Sequence, residues 1–435
     1  MAQLAIKGGS PVRTKLFPAY NTIGVEEKAA VMKVLDSGNL SQFLGGYTPD
    51  FFGGPKVREF EENWCEAFGC KHAISVNSNT SGLFAAMGAI GIQPGDEVIV
   101  SPYTMSASAV APLVYGGVPV FADIDPETFC LDPKSIAAKI TSRTKAILIV
   151  HILGHPADMD EIMAIAKQHH LKVVEDCAQA PMGKYKGNFV GTIGDIGVFS
   201  LNYHKHIHTG EGGVLITNDE NLAKRLQLIR NHGENVAEAM GITEITNLIG
   251  YNYRMTEIEA SIGIEQLKKL PGLLDKRIQN AKFLHEALGS VKGFRSPAWV
   301  NLPSVHTFYT QPLKYDAAIL GVHRNEFIKA LNAEIPSAVL RETAPLIGAG
   351  YVRPLYLQPI YQKRAAFAFQ NEHFKSQVDY SRGLCPVAEQ MHFHELITHE
   401  YMRPGMSQSD MEDVVRAFEK IAKHIDELVP ESATA

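Results

Sequence analysis

No apolar run in the sequence approaches the roughly 20 residues that a membrane-spanning helix needs, so no membrane partner is expected. The opening Met1-Ala-Gln-Leu-Ala-Ile-Lys-Gly-Gly9 lacks a basic stretch followed by an apolar core, which makes the cytoplasm the expected location. Positive charge is not in excess either. With 41 Lys and Arg against 47 Asp and Glu the net charge is −6, and no global basic field draws the chain to nucleic acid or anionic lipid. Cysteine is sparse. Cys65, Cys70, Cys130, Cys177 and Cys385 are odd in number and show no CxxC spacing, which favours reduced thiols over a disulfide or zinc framework.

What is present is enough for more than one domain: 435 residues, 45% hydrophobic and 20% charged. Residues 1–40 read as an N-terminal arm and one helix, 25–35, stopped by Ser37-Gly38. The glycine-, proline- and aromatic-rich stretch 44–55 reads as an irregular loop, either a pocket rim or a plain connector, and a helix follows at 57–68. From 73 to 217, apolar strand candidates at 73–76, 98–100, 118–123, 147–152, 173–176, 198–200 and 214–217 alternate with helical stretches. These runs are β-branched and do not alternate with polar residues, the pattern of strands buried on both faces of a mainly parallel sheet covered by helices. Residues 41–275 are therefore expected to form a large α/β domain, with ligands beyond the carboxyl ends of its strands. Helices are expected at 255–270 and from about 273, separated by Pro271-Gly272. Residues 276–435 read as a smaller C-terminal α+β domain, with a strand at 307–313, a helix at 324–332, a loop-rich part at 344–387 and a final helix at 411–428. In that part 351–361, with Arg353 and three tyrosines, is either a substrate contact or local packing.

Three stretches could carry chemistry. Lys205 lies between an apolar run ending at Ser200 and the turn Gly210-Glu-Gly-Gly213, which puts a primary amine on a loop between two buried strands. Such an amine forms an imine with a carbonyl when its pKa is depressed; by itself the stretch fits a solvated surface lysine equally well. Asn77-Ser-Asn-Thr-Ser-Gly82 precedes an apolar helix at 83–90, so the hydroxyls of Thr80 and Ser81 and the first-turn N–H groups suit a phosphate, or else form only an N-cap. Asp176 closes a strand, where a buried carboxylate needs a cationic or N–H partner or serves as a helix cap. His204, His206 and His208 alternate around Lys205, and His392 and His394 form a second cluster. On an extended chain the first three share one face, but no paired carboxylate spacing accompanies them, and no metal is expected.

Glu175-Asp-Cys-Ala-Gln-Ala180, Phe199-Ser200, Lys205-His-Ile-His-Thr-Gly-Glu-Gly-Gly213, Thr217-Asn-Asp219 and Gly250-Tyr-Asn-Tyr-Arg-Met255 together resemble the successive motifs of the pyridoxal-phosphate-dependent sugar aminotransferases of the DegT/DnrJ/EryC1/StrS family. The resemblance covers most of residues 20–280 and weakens from about residue 293. It implies the aspartate aminotransferase-like fold type I and a homodimer with active sites shared between subunits. It also implies that Lys205 is the catalytic Schiff-base lysine and proton shuttle, and that Asp176 pairs with the pyridine nitrogen of pyridoxal 5'-phosphate. Gln179 would pack near the ring and its 3-oxygen, Thr80, Ser81 and Ser200 would hold the phosphate, and Asn252 would reach the phosphate of the neighbouring subunit. Two positions depart from the family pattern. Where relatives stack an aromatic residue on the cofactor, the sequence reads Ser101-Pro-Tyr-Thr-Met105; alignment favours Met105, and Tyr103 is the chemical alternative. Asn79 stands where glycine is common.

The implied reaction moves an amino group from an amino acid, L-glutamate in the usual family pattern, to a keto- or aldehydo-sugar in amino-sugar biosynthesis. The acceptors admitted are a nucleotide-linked hexose, a cyclitol, or an oxidised octulosonic acid of the 8-amino-3,8-dideoxy-octulosonate type used for lipopolysaccharide. Two other readings compete: a keto-sugar dehydratase, a subgroup that carries histidine in place of the lysine, and a non-catalytic binding protein on the same fold. Lys205 in register with Gly-Glu-Gly-Gly favours transamination.

Overall fold

The computed structural model describes residues 3–299, 303–336, 345–370 and 378–429; of the expected loop-rich part, 344 and 371–377 lie outside the described residues. Its largest element is a seven-stranded sheet of β1 (His72–Val76), β2 (Glu97–Val100), β3 (Val118–Phe121), β4 (Thr144–Val150), β5 (Lys172–Asp176), β6 (Ile196–Ser200) and β7 (Gly213–Thr217). The order is β1-β7-β6-β5-β4-β2-β3. β3, β2, β4, β5 and β6 are mutually parallel, and β7 runs antiparallel to both β6 and β1. The sheet is buried on both faces, as unbroken apolar runs require. Leu215 of β7 joins a core with the helices Asn79–Ala89 and Glu220–Arg230, while its neighbours Val214 and Ile216 pack with Phe60, Trp64 and Phe68 of the helix Pro55–Phe68.

A second, four-stranded antiparallel sheet comprises β8 (Phe294–Arg295), β9 (Gln311–Tyr315), β10 (Ile347–Ala349) and β11 (Leu396–His399) in the order β8-β9-β11-β10. Its core takes Phe327 and Phe418 from the helices Arg324–Glu334 and Gln408–Lys423, and also Leu4 and Phe17 of the N-terminal arm. No helix among the described residues is long and apolar enough to cross a membrane.

Three expectations need correction. The helix expected to break at Pro271 is continuous from Glu257 to Gly289. Proline removes the N–H that would reach the Leu267 carbonyl, at about 3 kcal/mol. Leu270 and Leu274 on either side are buried in one cluster, and each such side chain contributes about 1.5–3 kcal/mol, so packing carries the helix through. The same helix then enters the other core with Ala281, Leu284 and Leu288. The helix expected from 83 begins at Asn79, because Ser78 Oγ caps the Ser81 N–H at 3.0 Å. The strand expected at 307–313 is displaced to Gln311–Tyr315, since Thr307 and Tyr309 give their N–H groups to Gly154 and Leu153 instead of to a sheet.

Candidate active site

The sheet register brings the chemistry-bearing ends together. Val150 pairs with Asp176, Asp176 with Val198, Ser200 with Gly213, and Gly213 with Val76. The carboxyl ends of β4, β5, β6 and β1 therefore lie side by side, with the helix Asn79–Ala89 opening just beyond β1. Gly213 is needed at this crossing. A Cβ there would stand 2.7 Å from the Asn79 nitrogen.

At this edge lies a cavity of about 210 Å³, whose lining includes Thr80, Met105, Asp176, Gln179, Ser200 and Lys205. Lys205 is only 8% exposed, and burial depresses its pKa to about 8 against the opposing pull of Asp176 and Glu400. Its Nζ lies 4.3 Å from the centre of the Tyr309 ring. Asp176 is equally enclosed, and burial raises its pKa. Its carboxylate accepts from Ser108 Oγ at 2.9 Å, from the Ala178 N–H at 3.1 Å and from Asn79 Nδ2 at 3.4 Å. Gln179 is locked at both ends, donating to Tyr351 Oη at 2.7 Å and accepting from the Leu153 N–H at 2.6 Å. Thr80 stands at the second helical position, in a turn whose first amides have no partner within the helix.

Two of the expected site residues lie outside this cavity, Ser81 against expectation and Asn252 as a residue expected to serve a neighbouring subunit. Ser81 does not line the cavity; its hydroxyl donates to Asn77 Oδ1 at 2.7 Å and lies 2.8 Å from Ser78 Oγ. Asn252 is exposed and also outside the cavity, its side chain accepting from Arg254 Nε at 2.7 Å. Of the two stacking candidates, Met105 lines the cavity with 55% of its surface exposed, whereas Tyr103 is fully buried and accepts the Tyr351 N–H at 2.7 Å. The stretch 44–55 packs elsewhere, with its Leu44 and Phe51 carbonyls bound by Asn231 Nδ2.

The alternating histidines do not share a face, because 201–209 folds as turns rather than as a strand. His204 lines the cavity, His206 bonds the Thr307 carbonyl at 3.0 Å, and His208 Nδ1 accepts the Gly210 N–H at 3.2 Å. Burial holds His206 well below its usual pKa. Among the described residues, the His/Cys/Asp/Glu group with metal-like spacing is His151, Glu175 and Cys177. Its carboxylate is already taken by the N–H groups of Gly191, Ile193 and Gly194 at 2.7, 2.9 and 2.5 Å and by His151 Nε2 at 2.9 Å. Sequence reasoning missed Ser108, Asn202, Glu211, Tyr309 and Glu400. Asn202 Oδ1 is buried without a hydrogen-bond partner beside the cavity. No local spacing announces these residues, which come from four separate parts of the chain.

A buried amine and a buried carboxylate lining one cavity are what a carbonyl-bearing pyridine cofactor needs, and the sequence model that describes such enzymes, the DegT/DnrJ/EryC1/StrS aminotransferase family, matches residues 21–419. The chain belongs to this family. The spore coat polysaccharide biosynthesis protein SpsC of Bacillus subtilis is 35% identical over 412 residues, covering 93% of this chain and 96% of that protein. An L-glutamine:2-deoxy-scyllo-inosose aminotransferase of Streptomyces lividus is 34% identical over 432 residues, covering 98% and 99%. The solved aminotransferase of Psychrobacter cryohalolentis superposes with a TM-score of 0.78 at 31% identity, covering 95% of this chain and all of that one. This member of the DegT/DnrJ/EryC1/StrS family is thus a sugar-family aminotransferase of fold type I that depends on pyridoxal phosphate. The donor set fits that cofactor. It offers a carboxylate for the ring nitrogen, an amine with a depressed pKa for the carbonyl carbon, and the opening of the helix Asn79–Ala89 with the Thr80 and Ser200 hydroxyls for a phosphate.

Proposed function

We propose that the protein transfers an amino group from L-glutamine to the carbonyl carbon of a keto-sugar or keto-cyclitol, with Lys205 as the cofactor-bearing and proton-carrying residue. The observation that carries this reading is the buried amine, shifted to about 8, sharing one cavity with the buried Asp176 carboxylate. The donor and the cyclitol-like acceptor follow the printed activity of the Streptomyces relative. L-Glutamate, the donor expected from the family pattern, enters as the comparison.

Pyridoxal phosphate, when bound, supplies an electron sink and carries the amine between two substrates. Asp176 would hold a proton at the ring nitrogen, its orientation set by Ser108 and the Ala178 N–H. Thr80, Ser200 and the first-turn amides would bind the phosphate, while Ser78 and Ser81 shape that turn. Gln179 would be held near the 3-oxygen by Leu153 and Tyr351, and Met105 offers a polarizable thioether to the ring face. Lys205 Nζ, once free, would carry the proton from the donor's α-carbon to the carbon on the other side of the transferred nitrogen. Asn252, exposed on its own chain, would complete the site of a second copy in a homodimer.

The test mixes holoprotein with L-glutamine or L-glutamate and follows conversion of the lysine-bound chromophore to the pyridoxamine form. A panel of keto-cyclitol, nucleotide-linked keto-hexose and 8-oxo-octulosonate then reads which acceptor reverses the change. Conversion by glutamine and reversal by a cyclic ketone is the expected result; no conversion with either donor rejects the reading.

A further inference from the structure

Tyr309 comes to the Lys205 amine from outside the large sheet, and the way it is held there is unusual. The turn after β4 crosses the segment Thr307–Tyr309 so closely that Gly154, at φ +92°, has no room for a side chain: a Cβ would lie 2.6 Å from Thr307 Oγ1 and 2.8 Å from the Phe308 nitrogen. Leu153 and Phe308 both adopt left-handed backbone, at φ 59° and 51°, a conformation that non-glycine residues keep only when their surroundings impose it. Five hydrogen bonds impose it here. The Thr307 and Tyr309 N–H groups each donate at 2.9 Å, to Gly154 and Leu153, and Thr307 Oγ1 donates to the Gln179 carbonyl at 3.0 Å. Arg277 Nη1 holds the Phe308 carbonyl at 2.9 Å, and His206, the residue next to Lys205, holds the Thr307 carbonyl at 3.0 Å. The strained segment is thus tied both to the Gln179 side of the cavity and to the lysine loop, and the result is an aromatic face 4.3 Å from Nζ.

We propose that Tyr309 is a positioning residue whose ring face holds the Lys205 ammonium at the cavity whenever that amine is free of the cofactor. The inference rests on the Lys205 role proposed above. In the proton transfer, Nζ gains the proton that leaves the donor's α-carbon while the C–H electron pair passes into the cofactor's ring system. The same proton then leaves Nζ for the cofactor's carbonyl-derived carbon, on the far side of the transferred nitrogen, and the tyrosine exchanges nothing. A ring face attracts the ammonium and not the neutral amine, so it favours the protonated state. Asp176 and Glu400 favour it as well, burial opposes it, His204 lines the same cavity and His206 is held neutral.

The test uses cofactor-free protein and needs no turnover. The acetylation rate of Lys205, read by peptide mass mapping across pH, reports its pKa in the wild type, Tyr309→Phe and Tyr309→Leu. Leucine keeps apolar bulk against water and removes the ring; phenylalanine keeps the ring. The wild-type midpoint is expected at about 8, unchanged in the phenylalanine variant and lower by about one pH unit in the leucine variant. Tyr309→Met repeats the ring removal should the leucine protein fold poorly. In the holoprotein the donor half-reaction is expected to slow about 10-fold in the leucine variant with KM unchanged, and to recover in the phenylalanine variant. An unshifted midpoint without the ring, or an equal shift in Tyr309→Phe, overturns the inference. A wild-type Lys205 that fails to take up the cofactor would instead reject the functional reading, while the midpoints still report on the ring.

Discussion

Replacing Lys205 with methionine should make the cofactor-free protein more stable while abolishing amine transfer. Folding moves the lysine pKa from 10.5 to about 8, and each unit corresponds to about 1.4 kcal/mol, so carrying the ammonium at pH 7 costs the folded state roughly 3 kcal/mol. That midpoint is the one with the Tyr309 ring in place, so the roughly 3 kcal/mol is already net of the ring and is the gain expected on substitution. The dependence on pH has a definite sign. Because the folded pKa lies below the unfolded one, between pH 8 and 10.5 the unfolded chain binds more protons, and wild-type stability rises with pH through that window. Below pH 8 the penalty is complete. The advantage of Lys205→Met is therefore largest at pH 7 and small by pH 10. Urea unfolding of both cofactor-free proteins at one fixed concentration, with the slope checked for equality, measures it. A methionine variant less stable than the wild type at pH 7, or equally advantaged at both pH values, refutes the reasoning.

Asp176→Asn should lower the donor half-reaction by about 100-fold or more, since the amide cannot keep a proton on the ring nitrogen; stopped-flow absorbance reads it. If the proposed homodimer with shared sites holds, Lys205→Ala and Asn252→Ala, each inactive alone, should recover about a quarter of wild-type activity after subunit exchange, because only mixed dimers would contain one intact site. No recovery despite confirmed exchange would remove Asn252 from the neighbour's site. Glu175→Gln should destabilise the fold by about 3 kcal/mol, as an NH₂ replaces one oxygen of a carboxylate that receives three backbone N–H groups and His151; thermal unfolding checks it.

The strands of the large sheet were legible because each is an apolar, β-branched run whose burial on both faces leaves a local mark. The candidate strand at 173–176 falls within Lys172–Asp176, and the one at 214–217 within Gly213–Thr217. Pro271 shows the limit of such reading. Its local cost is real, yet the burial that outweighs it comes from residues far along the chain. The strand at Gln311–Tyr315 was misplaced for a similar reason, since Thr307 and Tyr309 find their hydrogen-bond partners at Leu153 and Gly154.

For the site, the order of motifs in the sequence by itself determined the family and singled out Lys205 and Asp176, because an imine-forming amine and a buried carboxylate each need one residue type at one place, on the loop after β6 and at the end of β5. Tertiary structure alone decided which neighbours they meet. Ser108 bonds Asp176 from 68 positions away, Tyr309 covers an amine 104 positions before it, and Ser81 is drawn into a helix cap instead of the cavity. A local pattern records what a residue must be on its own element, whereas hydrogen bonds and ring contacts between elements depend on distances that exist only once the sheet edges are brought into register.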